Sequence, residues 1–227
     1  MCNRYETERS AALIGKIFGA RWSEDEASWK DQVYPRYQAP VVRVRDAGRV
    51  VEAMAWGFPN QVPGKTKMLT KHVTNARHLN KPLWRSAAAT PAQHCLVPFR
   101  RFAEPRPGRD AATGQPAQWW FDTPGEPLAA FAGLWQPTDA GAVFAFLTCE
   151  PNALVAPLHE KAMPVVLLPE DYDRWLSGGY AEAKALQTPY PSQLMNMTSA
   201  PVLDSRQEHG AVSDAPDLDE IKQGSLL

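Results

Sequence analysis

The sequence predicts a compact single-domain α+β protein, with a central antiparallel, barrel-like sheet and peripheral helices. Three observations carry this. The length of 227 residues exceeds one minimal domain without reaching two. Apolar residues make up 44% and charged residues 22%, enough to build a core. Short β-branched or alternating runs, separated by Pro- and Gly-rich segments, outnumber the helical patterns.

In chain order, Glu6–Gly19 carries apolar residues at Ala11, Leu13, Ile14, Ile17 and Phe18, the spacing of an amphipathic helix stopped by Gly19. A shorter helix is expected near Glu24–Val33. VVRV (41–44) and VVEAMAWGF (50–58) read as strands, and the Pro-, Gly- and Lys-rich residues 59–71 as a surface loop. CLVPF (95–99), QWWF (118–121), LAAFAGLW (128–135) and VFAFLTC (143–149) predict four more strands, with loops over 105–117 and 136–142. PVVLL (164–168) predicts another strand. PEDYDRWL (169–176) has Pro and acidic residues in its first turn, a helix start, and ends before Gly178–Gly179. A short helix is expected around Ala181–Gln187. The domain is expected to span 1–200, with an acidic, disordered tail over 201–227.

No apolar run approaches the ~18 residues of a membrane helix. MCNRYETERS has no signal-peptide apolar region, and three scattered cysteines do not make a disulfide framework. A reducing, bacterial-type cytosol is the expected location, with no membrane partner and a monomeric chain. The net charge of −1 conceals a split: residues 1–110 hold 19 Lys and Arg against 10 Asp and Glu, and residues 111–227 hold 5 against 15. Such asymmetry fits a polyanion partner for the basic half, or two halves that neutralise each other on folding.

Four positions could carry chemistry. Removal of Met1 would make Cys2 the amino terminus, a 1,2-aminothiol whose amine and thiol both titrate near neutrality, at about 8 and 8.5. Such a group condenses with an aldehyde, or serves as an N-terminal nucleophile in amide hydrolysis; Cys2 equally reads as a small residue near the start. His159 lies in a polar island between two apolar runs, as a general acid–base group or as a backbone-bonded structural histidine. Glu104 follows a strand among Arg100, Arg101 and Arg106, as a salt-bridging carboxylate or one that moves protons in a basic pocket. VTNARHLNKPLWR (73–85) offers Asn75, Arg77 and Arg85 as donors to phosphate and sugar oxygens. Trp56 and Trp84 lie in the same basic half, a composition suited to stacking single-stranded bases, whereas Trp119, Trp120, Trp135 and Trp175 fall in core patterns. His72, His78, His94 and His209 show no interpretable spacing. Cys95 and Cys149 lack a CxxC partner, and GxGxxG, phosphate-loop and GxSxG motifs are absent, so neither metal nor cofactor is expected.

Together these motifs resemble the SOS response-associated peptidase (SRAP) family of abasic-site processing proteins. MCNRY (1–5) is similar to the family's MCGRY-like start, AWGF (55–58) to its WG motif, and TNAR (74–77) to its TNAR motif. HCLVPFRRFAEP (94–105) corresponds to an RCLIPxxGFYEW-like strand. FAGLW (131–135) is intact, and LTCEPNALVAPLHEKAMPVVLL (147–168) matches a TTxANxLVxxIHxRMPVIL-like segment. The resemblance spans about residues 1–200. It implies a compact α+β fold with a barrel-like sheet, and binding of single-stranded DNA that holds an abasic site. Cys2 corresponds to the crosslinking residue, with Asn75, Glu104 and His159 as its catalytic companions. The DNA contacts implied or suggested are Arg4, Trp56, Arg77, Arg85 and Lys161.

Asn3 replaces the family's usual Gly, Pro105 its Trp after the Glu, and Lys161 stands nearest its usual Arg. His78-Leu79-Asn80 follows TNAR in place of an acidic pair, and Arg100-Arg101-Phe102 replaces a small-residue lead into Glu104. The leading expectation is a covalent abasic-site sensor that forms a thiazolidine through Cys2. A Cys2-dependent (auto)peptidase and a non-covalent single-strand DNA-binding module are the alternatives.

Overall fold

The computed structural model of the chain describes residues 2–22, 29–46 and 48–203. Five strands close into a barrel: Gly48–Trp56, Gln38–Arg45, His94–Phe99, Ala129–Thr138 and Gly141–Cys149. Neighbours around it are antiparallel. The closing seam is parallel, with Val143 opposite Ala55 and Phe144 opposite Trp56. That seam departs from the expected antiparallel barrel, as do the short parallel pairings of Ala20–Arg21 and Asn75–Ala76 with barrel strands, and it leaves neither end strand with a bare edge.

A second sheet packs beside the barrel. Its order is Asn196–Ser199, Pro116–Asp122, Arg101–Asp110, Arg4–Glu6 and Gln32–Val33, all antiparallel. The chain passes from barrel to second sheet at Arg100, whose N–H donates to Glu6 O at 2.7 Å. The two sheets share an aromatic core. Phe131 stacks on Phe99 with centroids 3.9 Å apart, and contacts Phe146, Phe102 and Tyr5 at 4.6, 5.9 and 5.7 Å. FAGLW gains its glycine here: a Cβ on Gly133 would meet Cys95 Sγ and Val97 Cγ2 at 2.7 Å.

Local chemistry explains most elements. Ser10 caps the helix Ala11–Phe18 by accepting from Leu13 N–H, and Gly19, at φ 60°, ends it. The helix starts later than Glu6 because Tyr5 and Glu6 pair with Phe102 and Arg101 as a strand. The expected second helix fails over Gln32–Val33, which pairs with Glu6 and Tyr5; its residues 24–28 lie outside the described residues. The expected loop at 59–71 is a two-stranded ribbon, Phe58–Pro63 with Met68–Val73. Most of its second strand is exposed, so no apolar alternation marks it. The Arg101–Asp110 strand runs through Pro105 and Pro107, at a register shift between Pro105 and Arg109, where missing N–H donors are tolerated. The helix Pro82–Ala89 has Pro at its first position and arises inside the TNAR-to-Trp84 segment, where no helix is predicted. PEDYDRWL forms a 3₁₀ turn and the helix Tyr172–Ser177, followed by Tyr180–Ala185. Val202–Leu203 pairs with Asp110 and Arg109, which carries the ordered fold past 200; the rest of the predicted tail lies outside the described residues.

Gly133→Ala forces a methyl group against Cys95 and Val97 in a close-packed layer. It should lower stability by about 1–3 kcal/mol. A urea-melt midpoint unchanged from wild type would refute the packing account.

Candidate active site

Cys2 precedes the Arg4–Glu6 strand and is 1% exposed. Its Sγ donates to Arg4 O at 3.3 Å, and its carbonyl accepts from Asn75 Nδ2 at 3.2 Å. Asn75 reaches it because Asn75–Ala76 lies parallel to Phe146–Leu147 at the end of the exposed ribbon. The same amide nitrogen donates to Thr74 Oγ1 at 2.8 Å.

Glu104 is fully buried on the strand opposite. Its carboxyl and the Cys2 thiol feel each other: burial pushes the thiol well above its ordinary range, and the Glu104 charge pushes it further. Burial likewise raises the Glu104 carboxyl above the usual carboxylate range, while His159 pulls it down. His159 Nε2 stands 3.9 Å from Glu104 Oε2. The other ring nitrogen, Nδ1, donates to Ala162 O at 2.6 Å, since a carbonyl can only accept. That bond leaves Nε2 aimed at the carboxyl. At 3.9 Å the two groups are beyond direct proton-transfer reach, so a proton passes between them only after they approach by about 1 Å.

Asn152 holds the His159 loop, and the sequence reading missed it. Its Oδ1 accepts from Leu154 and Val155 N–H, and its Nδ2 donates to Tyr190 O at 2.8 Å. Val155 O then accepts from His159 N–H. The Pro-Asn pair before an apolar stretch was the available signal, because Asn favours such local turns.

The four expected catalytic residues thus converge from separate segments. The expected DNA contacts fare unevenly. Arg4 lies beside the site, donates to Gln32 Oε1 at 2.9 Å and sits over the Trp120 ring at 4.9 Å. Arg85 is exposed on the Pro82–Ala89 helix, and Lys161 is exposed two residues from His159, at an opening of about 390 Å³. Arg77 is paired with Glu150, so its charge is partly answered within the chain. Trp56 must be corrected. It is 0% exposed, stacks on Phe146 at 5.1 Å and donates from Nε1 to Thr74 O, so no base can reach its face. Trp84 is buried against Phe58.

Of the rings that the sequence assigned to the core, Trp119 and Trp135 are half-buried and packed against it, Trp120 is half-buried and lines an open concave face, and Trp22, assigned to neither, is exposed. Trp119 lies under Arg106 at 4.2 Å, and Trp120 under Arg101 at 4.3 Å. Trp175 is core, stacked on His94, whose two ring nitrogens bond to Trp175 O and Ala88 O. Cys149 is buried, its thiol pushed up to about 12 by that burial, with no role in the cluster. Among the described residues there is no cluster of three metal-ligating side chains and no helix long and apolar enough to cross a membrane.

The sequence matches the family described as SOS response associated peptidase (SRAP) over residues 1–205. No curated protein matches it in sequence. The fold is similar to three crystal structures, two of bacterial proteins and one of a phage-related protein. One, from Bordetella bronchiseptica, is 24% identical with a TM-score of 0.67, over 88% of this chain and 100% of that one. A second, from Bacteroides thetaiotaomicron, is 20% identical with a TM-score of 0.67, over 87% and 91%. A phage-related protein from Bordetella bronchiseptica is 19% identical with a TM-score of 0.60, over 88% and 94%. At these identities the likeness speaks for the fold.

A carboxyl raised above its usual value of 4.5 binds its proton more tightly in the folded chain than in the unfolded one. Its contribution to stability is therefore complete below that value and is lost as pH rises through the raised one. Wild type should lose stability relative to Glu104→Gln as pH is raised from about 4.5 towards neutrality. Parallel urea midpoints for the two chains across that range would contradict the assignment.

Proposed function

The chain belongs to the SOS response associated peptidase (SRAP) family, and from that premise we propose that it binds single-stranded DNA and crosslinks covalently to abasic sites through Cys2. The family places it in an SOS-associated, peptidase-like role in DNA damage. The observation that carries the finer reading is the convergence of Cys2, Asn75, Glu104 and His159 around a buried carboxyl whose proton is held above the usual range.

The chemistry starts once Met1 is removed. His159 Nε2 takes the proton of the hemiacetal hydroxyl and returns it to the ring oxygen as the ring opens to the aldehyde. The Cys2 amine adds to that carbon to give a carbinolamine. The Glu104 carboxyl, whose proton burial holds above the usual range, protonates the carbinolamine hydroxyl, which leaves as water, and the protonated imine forms. The Cys2 sulfur then adds to the imine carbon. The thiol proton passes to the Glu104 carboxylate, the protonated imine nitrogen keeps its N–H and becomes the ring amine, and a thiazolidine closes with one water lost overall. Asn75 holds the Cys2 carbonyl and so orients both nucleophiles. Arg85 and Lys161 meet flanking phosphates, and the cytosol is where this chemistry is placed.

Thiolate-initiated peptide hydrolysis is less favoured, because burial makes the Cys2 thiol hold its proton. Condensation begins with the amine and needs no thiolate at its first step.

Wild type incubated with single-stranded DNA containing one abasic site should give a heat-stable shifted band on a denaturing gel. Cys2→Ala should abolish it. Glu104→Gln and His159→Ala should each slow its formation by about 10²–10⁴-fold while circular dichroism stays native. Peptide cleavage without a shifted band would favour the peptidase reading. Met1 retained in the intact mass of the active protein would end the thiazolidine one.

A further inference from the structure

The outer face of the second sheet carries a second feature, outside the Cys2 cluster. It lines a concave space of about 1130 Å³. Asn3 and Pro105, the chain neighbours of Cys2 and Glu104, form part of its wall, so it adjoins the reactive residues along two strands. Arg4, Ala103, Trp120 and Thr198 stand in one row across this face. Ala103 is small, and the Arg4 guanidinium reaches over it to lie 4.9 Å from the Trp120 ring and 5.4 Å from the Tyr34 ring.

The polar groups of this face are incompletely matched. Arg4 Nε is a buried donor and Gln118 Oε1 a buried acceptor, and neither has a hydrogen-bond partner among the described residues. Both residues line the space. Its charged side chains balance, Arg4 and Arg101 against Glu6 and Asp110, and Arg101 is bound by Glu6 through two hydrogen bonds of 2.6 and 2.9 Å. A bare phosphate offers acceptors only and needs net positive charge. A nucleobase offers donor and acceptor on one edge, together with a flat π face for guanidinium and aromatic planes.

We infer that this face is a nucleobase subsite, which takes the base next to the abasic nucleotide through Trp120, Tyr34, Arg4 and Gln118. The inference rests on the abasic-site reading. An abasic nucleotide has no base of its own to recognise, so base contacts must come from a neighbour, and Asn3 and Pro105, next in the chain to Cys2 and Glu104, form part of the wall of this space.

The test uses a labelled single strand carrying a tetrahydrofuran abasic analogue, which has no aldehyde, so that binding is read by fluorescence anisotropy apart from crosslinking. A second strand also lacks the base on the 5′ side of the analogue, and a third lacks the base on its 3′ side. Wild type should bind one of these two about ten-fold more weakly than the first strand, and the other nearly as well, as expected for loss of one stacked base. Trp120→Ala should bind the first strand about ten-fold more weakly and lose that discrimination. Gln118→Leu should alter which neighbouring base is preferred. Circular dichroism checks folding, and Tyr34→Ala decides the matter if Trp120→Ala does not fold. Wild-type affinity independent of both neighbouring bases, or discrimination retained in the folded variant, would overturn the subsite. If wild type then crosslinks true abasic strands, the proposed function stands without it. Neighbour-dependent binding with no crosslinking would support the subsite and overturn the crosslinking chemistry instead.

Discussion

Tyr5 joins the two sheets. Its ring is fully buried and meets Trp56, Phe131 and Phe146 edge-on, at centroid distances of 5.2, 5.7 and 6.2 Å. Burying such a ring is worth about 2–3 kcal/mol, and each edge-to-face pair adds about 0.5–1.5 kcal/mol. Its hydroxyl is buried without a hydrogen-bond partner among the described residues, a cost of about 1–3 kcal/mol that the ring contacts offset. The ring sets the register of the Arg4–Glu6 strand against Arg101–Asp110. A slip of one residue would withdraw Tyr5 and drive Arg4 or Glu6 into an apolar box. The same register brings Cys2 beside Glu104 and points Arg4 outward to Trp120. The placement of Cys2 and the outer face thus follow from one packed side chain.

The site itself runs against the economy of the core. A carboxyl and a thiol are buried close together, and both respond by holding their protons. An apolar pair would pack there with less desolvation cost. Burial makes Glu104 hold its proton to a higher pH than an exposed carboxylate would. The supports are local: the Ala162 carbonyl sets the His159 tautomer, and the Asn152 side chain binds the turn that carries it. The basic and acidic halves do meet across the fold, through Arg49 with Asp173 and Arg77 with Glu150. These pairs leave the exposed Arg85 and Lys161 outside them.

The strands with buried faces were legible because apolar residues recur there: CLVPF, FAGLW and VFAFLTC all form barrel strands. The ribbon over 58–73 was not, since its exposed strand obeys no burial pattern and its prolines and glycine mimic a loop. Gln32–Val33 is too short to carry a period and forms only because Tyr5 and Glu6 offer an edge. Of the candidate site, the four chemical residues could be named from motif order, whereas their neighbours could not. Trp56 and Trp120 exchanged roles, one from stacking surface to core and the other from core to open face, because a tryptophan's hydrophobicity does not say which side of a sheet its ring lies on.

By itself the sequence determined the α+β class, the main barrel strands, the helix stops at Gly19 and Gly178, and the family to which the chain belongs. These depend on local periodicity, on backbone permissiveness and on residues kept in order, all of which are properties of a linear chain. Only the tertiary structure decided that Cys2 is buried, that Asn75 grips its carbonyl from 73 residues away, that His159 Nε2 faces Glu104, and that Arg4, Tyr34, Gln118 and Trp120 share one surface. Those facts depend on strand register and on the closing of one sheet against another. Register is set by the summed fit of side chains distant in sequence, and no short window of residues contains it.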